Sequence, residues 1–159
     1  GVELGVTWSP ISDLSLALTS YHGKTNIVDA LGSTHNDSDS QNLYSFTASY
    51  KVTDALNVGV NIDQVNFDSS KPESDGNKYT AYVGYVTYAL SDATKLGVRL
   101  EEISGRRVAG LDNNLGAVTA VLSHGFAKNF DLRTELSDVD PEARDNRHVE
   151  LAVQGVLKF

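Results

Sequence analysis

The chain has 159 residues, a formal net charge of −8 and no cysteine. That length suffices for one domain with a core of its own. The missing thiols exclude a disulfide framework and a thiolate metal site, and the acidic balance argues against a nucleic-acid binder, which needs a basic face.

No apolar run approaches the roughly 18 residues of a membrane-spanning helix. No signal peptide is visible, and Gly1 in place of a starting Met marks a mature product or a fragment. Val2, Leu4, Val6 and Trp8 then alternate with Glu3, Gly5 and Thr7, the period of a strand with one apolar and one polar face. Pro10 to Asp13 is a turn. Leu14, Leu16 and Leu18 oppose Ser15, Ala17 and Thr19 in a second strand that runs out to Tyr21. Gly23 to Gln41, rich in Asn, Asp, Ser and Thr, reads as a loop.

A third strand from about Asn42 to Val52 sets Tyr44, Phe46, Ala48, Tyr50 and Val52 against Ser45, Thr47, Ser49 and Lys51. After a tight turn at Thr53 and Asp54, Leu56, Val58, Val60 and Ile62 oppose Asn57, Gly59, Asn61 and Asp63. A polar loop covers about Asp68 to Asn77. The next hairpin is Lys78 to Leu90, a turn at Ser91 to Ala93, and Lys95 to Ile103. Its first strand carries Tyr79, Tyr82, Tyr85 and Tyr88 on both parities, so its facing is ambiguous. Its second sets Leu96, Val98 and Leu100 against Gly97, Arg99 and Glu101.

Gly105 to Asn113 is a loop. The fourth hairpin is Leu115 to Phe126, a turn at Ala127 to Asn129, and Phe130 to Val139, with Phe130, Leu132 and Leu136 opposing Asp131, Arg133 and Glu135. A last polar loop, Asp140 to Arg147, leads into the closing strand. There Val149, Leu151, Val153, Leu157 and Phe159 oppose Glu150, Gln154 and Lys158.

Connections alternate short and long throughout. The segments about two short turns also resemble each other, Tyr50 to Val60 beside Tyr88 to Val98, so the repeat is a hairpin plus its long loop. A soluble sandwich gives the same alternation, and four features favour a membrane barrel. Strands of about ten to twelve residues exceed the usual five or six of globular sheets. Short turns gather at one end and long polar loops at the other. Aromatics (Trp8, Tyr21, Tyr44, Tyr50, Phe67, Tyr79, Tyr88, Phe126, Phe130, Phe159) concentrate near strand ends, where interfacial girdles form. Charges sit in mid-strand on the polar parity, where opposite signs on neighbouring strands can pair across a wet lumen.

The alternating strands, short turns such as Val52 to Ala55, and the ending Val153 to Phe159 resemble a Gram-negative outer-membrane β-barrel, more narrowly the carboxy-terminal part of porin-like barrels of the OmpL, porin-2 type. The resemblance implies an all-β, antiparallel up-and-down transmembrane β-barrel in the outer membrane, with the C-terminus periplasmic and the long loops extracellular. It further implies the lipid bilayer as partner. The barrel-assembly machinery would act during biogenesis, recognising Val153, Leu157 and the terminal Phe159. Gly155 departs from that ending, where a bulkier residue is common.

The strand count is about nine, whereas bacterial single-chain barrels normally have an even number. Two expectations follow: part of a larger barrel completed by another segment or protein chain, or a small barrel of eight strands with an irregular one.

The inward candidates are Lys51, Asn57, Asn61, Asp63, Arg99, Glu101, Asp131, Arg133, Glu135, Glu150, Gln154 and Lys158. Arg99 and Glu101 share an Arg-x-Glu spacing with Arg133 and Glu135, which fits either a selective lumen wall or a salt-bridged plug. Asn36 to Asp39 and Asp112 to Asn114 lack the glycine and terminal glutamate of an EF-hand and read as solvated loops. His22 and His148, with Asp138 or Asp140 near, are the nearest thing to a catalytic set, but no nucleophile motif accompanies them. No enzyme and no cofactor is expected. The leading function is passive diffusion of small solutes through a polar lumen with paired charges. The alternative is a closed structural barrel that binds a partner through its loops or lateral surface.

Overall fold

The computed structural model describes residues 1–28, 34–68, 78–105, 107–108, 111–112, 114–141 and 147–157. Strands β1 (Val2–Ile11), β2 (Leu14–Val28), β3 (Thr34–Lys51), β4 (Leu56–Asp68), β5 (Lys78–Ala89) and β6 (Thr94–Ser104) follow in order. After a small hairpin, β7 (Arg107–Val108) and β8 (Leu111–Asp112), come β9 (Leu115–Ala127), β10 (Phe130–Pro141) and β11 (His148–Leu157). Apart from β7 and β8, they form one nine-stranded antiparallel meander in which each strand pairs with the next. Among the described residues β1 pairs with β2 and β11 with β10, and the sheet between them is open.

The alternation sorts side chains as the sequence predicts. One cross-strand row, Val58–Val86–Val98–Ala120–Leu136–Leu151, is wholly apolar. The next row toward the long loops, on the other face, is Ser49–Gly59–Tyr85–Arg99–Thr119–Ser137–Glu150. The apolar face is open, with Leu100, Val118 and Leu136 all more than half exposed. Among the described residues, the buried hydrophobic core is Val65 alone, so this sheet does not cover its apolar face with a second layer.

β5 resolves its own ambiguity. Tyr82 and Tyr88 stand on the apolar face with Val86, whereas Tyr79 and Tyr85 fall on the polar face. A Cβ at Gly59 would overlap the Tyr85 ring, so that ring covers the directly opposed glycine.

Two of the short turns are built alike. Thr53 Oγ1 accepts from Ala55 and Leu56 N–H at 3.2 and 3.0 Å, and Ser91 Oγ accepts from Ala93 and Thr94 N–H at 3.3 and 3.1 Å. The last carbonyl of each of the first three short turns is tied to the following hairpin: Lys51 N–H donates to Asp13, Ala89 N–H to Ala55 and Gly125 N–H to Ala93, all at 2.8 Å. The repeat is therefore one of backbone bonding as well as of sequence.

The first long polar segment is shorter than its composition suggests. The β2–β3 ladder runs past Gly23↔Gln41 to Thr25↔Asp39 and Val28↔Thr34. Much of Gly23 to Gln41 is thus paired strand, because backbone pairing does not require an apolar face once a hairpin has started. Asn36 to Asp39 lies within β3.

Candidate functional site

The polar face places the predicted residues together. Asn57, Asn61, Asp63, Arg99, Glu101, Asp131, Arg133, Glu135, Glu150 and Gln154 all share it by register, with Lys51 at its short-turn end. Lys158 and Phe159 lie outside the described residues. Val153 and Leu157 stand exposed on the opposite, apolar face.

Register decides how the charges pair, and it corrects the expectation of cross-strand ion pairs. The cross-strand neighbours of Arg99 are Tyr85 and Thr119, and those of Arg133 are Ser123 and Gln154. Neither arginine has a carboxylate opposite it. Each instead reaches along its own strand to the next residue on the same face. Arg99 Nε donates to Glu101 Oε2 at 2.8 Å, and Arg133 Nε lies 2.8 Å from Glu135 Oε1. The second contact is an ion pair without hydrogen-bond alignment, since Arg133 Nε is buried with no hydrogen-bond partner. Both strands leave a short turn, so in each pair the arginine sits nearer the short turns and the glutamate nearer the long loops.

Between these strands, Thr119 is fully buried, its Oγ1 2.9 Å from Ser137 Oγ. On the β3–β4 side, Thr47 Oγ1 donates to Asn61 Oδ1 at 2.7 Å, and Asn61 Nδ2 donates to Asp63 Oδ2 at 2.7 Å. Of these hydroxyls, Thr47 falls on the polar parity of its strand in the sequence, whereas Thr119 lies on a strand to which the alternation assigns no facing. Lys51 Nζ lies 2.6 Å from Asp54 Oδ1 in the turn. Hydrogen bonding and charge from that ammonium hold the Asp54 carboxyl below the usual carboxylate range.

Two hollows flank this arrangement. One of about 230 Å³ sits on the polar face, lined by Tyr85, Thr87, Lys95, Arg99, Ser123 and Arg133. A larger one of about 840 Å³ lies on the apolar face across β1 to β5, lined by Leu4, Val6, Leu18, Phe46, Ile62 and Tyr82 among others. Its lining suits hydrocarbon, whereas the smaller hollow carries polar side chains, as does a third of about 300 Å³ at the short-turn end lined by Asp92, Lys95, Ser123, His124, Lys128 and Asp131.

The histidines do not form a set. His22 bonds Asn42 through Nδ1 at 2.7 Å on β2, whereas His148 Nε2 lies 2.9 Å from Glu150 Oε1 on β11 and on the opposite face. Asp138 faces away from His148's side of the sheet and is held by the Arg147 guanidinium, whose Nε donates to its Oδ1 at 2.9 Å.

The family model described as "Putative beta-barrel porin-2, OmpL-like" matches residues 1–152. The chain belongs to this family. No curated protein and no solved structure matches it. Membership assigns the nine-stranded meander to the up-and-down transmembrane β-barrel class and gives the chain a porin-like role at the coarse level. A porin-like barrel of this kind points to an outer-membrane location.

For this barrel-porin family member the exposed apolar face has a physical rationale. Tyr44 and Tyr50 bracket an apolar row on β3, and Tyr82 and Tyr88 bracket one on β5. At about 3.4 Å per residue each bracket spans about 20 Å, near the roughly 25 Å apolar band of membrane barrels. At the short-turn end the aromatics also touch, with Phe126 and Phe130 ring centroids 6.2 Å apart and His124 edge-on to Phe126 at 4.6 Å. Gly155, the departure from the usual ending, lies under this cluster: a Cβ there would be 3.2 Å from Phe130 Cε2.

Proposed function

We propose that the chain forms lumen wall of an outer-membrane porin through which small polar solutes diffuse passively. The observation that carries this reading is the sorting of the two faces. The apolar face is exposed, and charges on it such as Glu102 and Asp138 lie toward the long-loop ends of their strands, leaving its middle apolar as lipid contact requires. The polar face carries Arg99–Glu101 and Arg133–Glu135 half-exposed, with the side chains of Arg99 and Glu101 35% and 29% accessible. Charges left that accessible still reach a solute, and self-paired charges tune selectivity without a strong net field.

In this orientation the short turns and the C-terminus face the periplasm and the long loops face outward. The lipid bilayer covers Val98, Leu122 and their neighbours. The barrel-assembly machinery takes the closing strand by the row containing Val153 and Leu157. No step of the function calls for a cofactor or for catalysis.

Single-channel recording of the protein in planar bilayers tests this. Stepwise ohmic conductance is expected. A correctly folded protein silent at every voltage would remove the diffusion role and favour a structural barrel.

A further inference from the structure

The smaller hollow on the polar face is open because its floor is a glycine. Gly97 lies on β6 between Lys95 and Arg99, opposite Thr87 on β5 and Val121 on β9. A Cβ there would stand 3.6 Å from Val121 Cβ and the Val86 carbonyl oxygen and 3.9 Å from Thr87 Oγ1, all ordinary contacts. No neighbouring side chain fills the space. Lys95, Ser123 and Arg133 form one row across β6, β9 and β10 on the short-turn side of Gly97. Arg99 lies in the next same-face row on its long-loop side.

Three cations and the Thr87 and Ser123 hydroxyls thus converge on about 230 Å³, and among the described residues no carboxylate lines it. Glu101 and Glu135 meet the arginines from outside the hollow, each through Nε at 2.8 Å. An arginine carries five N–H donors, so these contacts leave the Nη1/Nη2 fork of each guanidinium for a second oxyanion. Arg133 is the less satisfied of the two, since its Nε is buried without an aligned acceptor. Lys95 has no ion-pair partner among the described residues. Toward the short turns, the adjoining hollow shares Lys95 and Ser123 and adds Asp92 and Asp131, with Lys128 and His124 beside them. The excess of cations over carboxylates therefore belongs to the space above Gly97.

We infer that this hollow binds the oxyanion of a small solute, a carboxylate or a phosphate group, on the wall of the lumen. It rests on the lumen reading for the access of water-borne solutes to this face. The glycine makes the room, and the guanidinium forks and the Lys95 ammonium hold the oxygens. The two glutamates keep the arginines along their strands, and Lys95 supplies charge that they do not cancel.

Calorimetric titration of the full chain, folded in phosphatidylcholine nanodiscs at low ionic strength, tests this with inorganic phosphate and succinate as separate probes and chloride as reference. Saturable binding of at least one oxyanion, not matched by chloride, is expected, and the probe that binds identifies the source. Gly97→Val fills the hollow with every charge in place and should abolish binding. Ser123→Val fills it from β9 and serves if heat-dependent gel mobility shows Gly97→Val unfolded. Lys95→Gln should weaken binding about tenfold, the worth of one charge-assisted hydrogen bond. Lys51→Gln removes a cation from the same face outside the hollow and should leave the affinity within about twofold, because distant exposed charges are screened. Absence of oxyanion binding, binding equalled by chloride, indifference to a filled hollow, or equal losses in the two lysine variants would each overturn the inference. Binding by a protein that does not conduct would remove the diffusion role and leave this site standing, whereas conduction without binding would do the reverse.

Discussion

Replacing Val98 by arginine tests most directly which solvent the apolar face meets. Val98 sits in the middle of β6, 43% exposed, within the apolar row from Val58 to Leu151. On a lipid-facing barrel surface, arginine costs about 2–4 kcal/mol at the bilayer midplane and about 0–1 kcal/mol near the interface. Val52 supplies the internal control. It is 44% exposed but lies in the short turn, at the expected interface. Val98→Arg should therefore lower the unfolding free energy by about 1–4 kcal/mol more than Val52→Arg does, with each 1.4 kcal/mol worth about tenfold in the folding equilibrium. Denaturant titration of the protein in phosphatidylcholine bilayers measures this, with emission of the single tryptophan, Trp8, as reporter. Equal and small costs at both sites, within the roughly 0.5 kcal/mol typical of a water-exposed surface, would show that the face is not in hydrocarbon.

Three further outcomes are expected. Gly155→Val should cost about 1–3 kcal/mol by crowding the Phe130 ring, with most of the loss recovered in the Phe130→Ala background; the same titration reads both, and an equal cost in the two backgrounds would refute the contact. The Asp54 carboxyl has a lower pKa in the fold than in the unfolded chain, so its contribution is present above the unfolded value and is lost as pH falls through the folded one. Asp54→Asn should therefore flatten the stability decline below about pH 4, and an unchanged acid limb would show the Lys51 pairing to be without effect. Arg99→Gln leaves Glu101 uncompensated and should raise cation over anion permeability in a salt gradient, while Glu101→Gln should do the reverse. Both should alter stability by no more than about 1 kcal/mol, because the pair is partly exposed.

What the sequence made legible, and what it hid, divides along one physical line. Period-two alternation assigns a residue to a face without any knowledge of its neighbours, so the apolar rows and the polar-face candidates could be read from parity alone. It does not supply register, and every miss at the site depends on register. Glu101 stands opposite Val83 and Ala117, and Glu135 opposite Val121 and Ala152. With no arginine across either seam, the same-face neighbour on the same strand is the remaining partner. The tyrosines of β5 needed the pairing Gly59↔Tyr85 to be placed, because a tyrosine suits an interface or a wet face equally well. Gly23 to Gln41 failed for the complementary reason: where both faces are polar, parity has no contrast, although the backbone ladder continues.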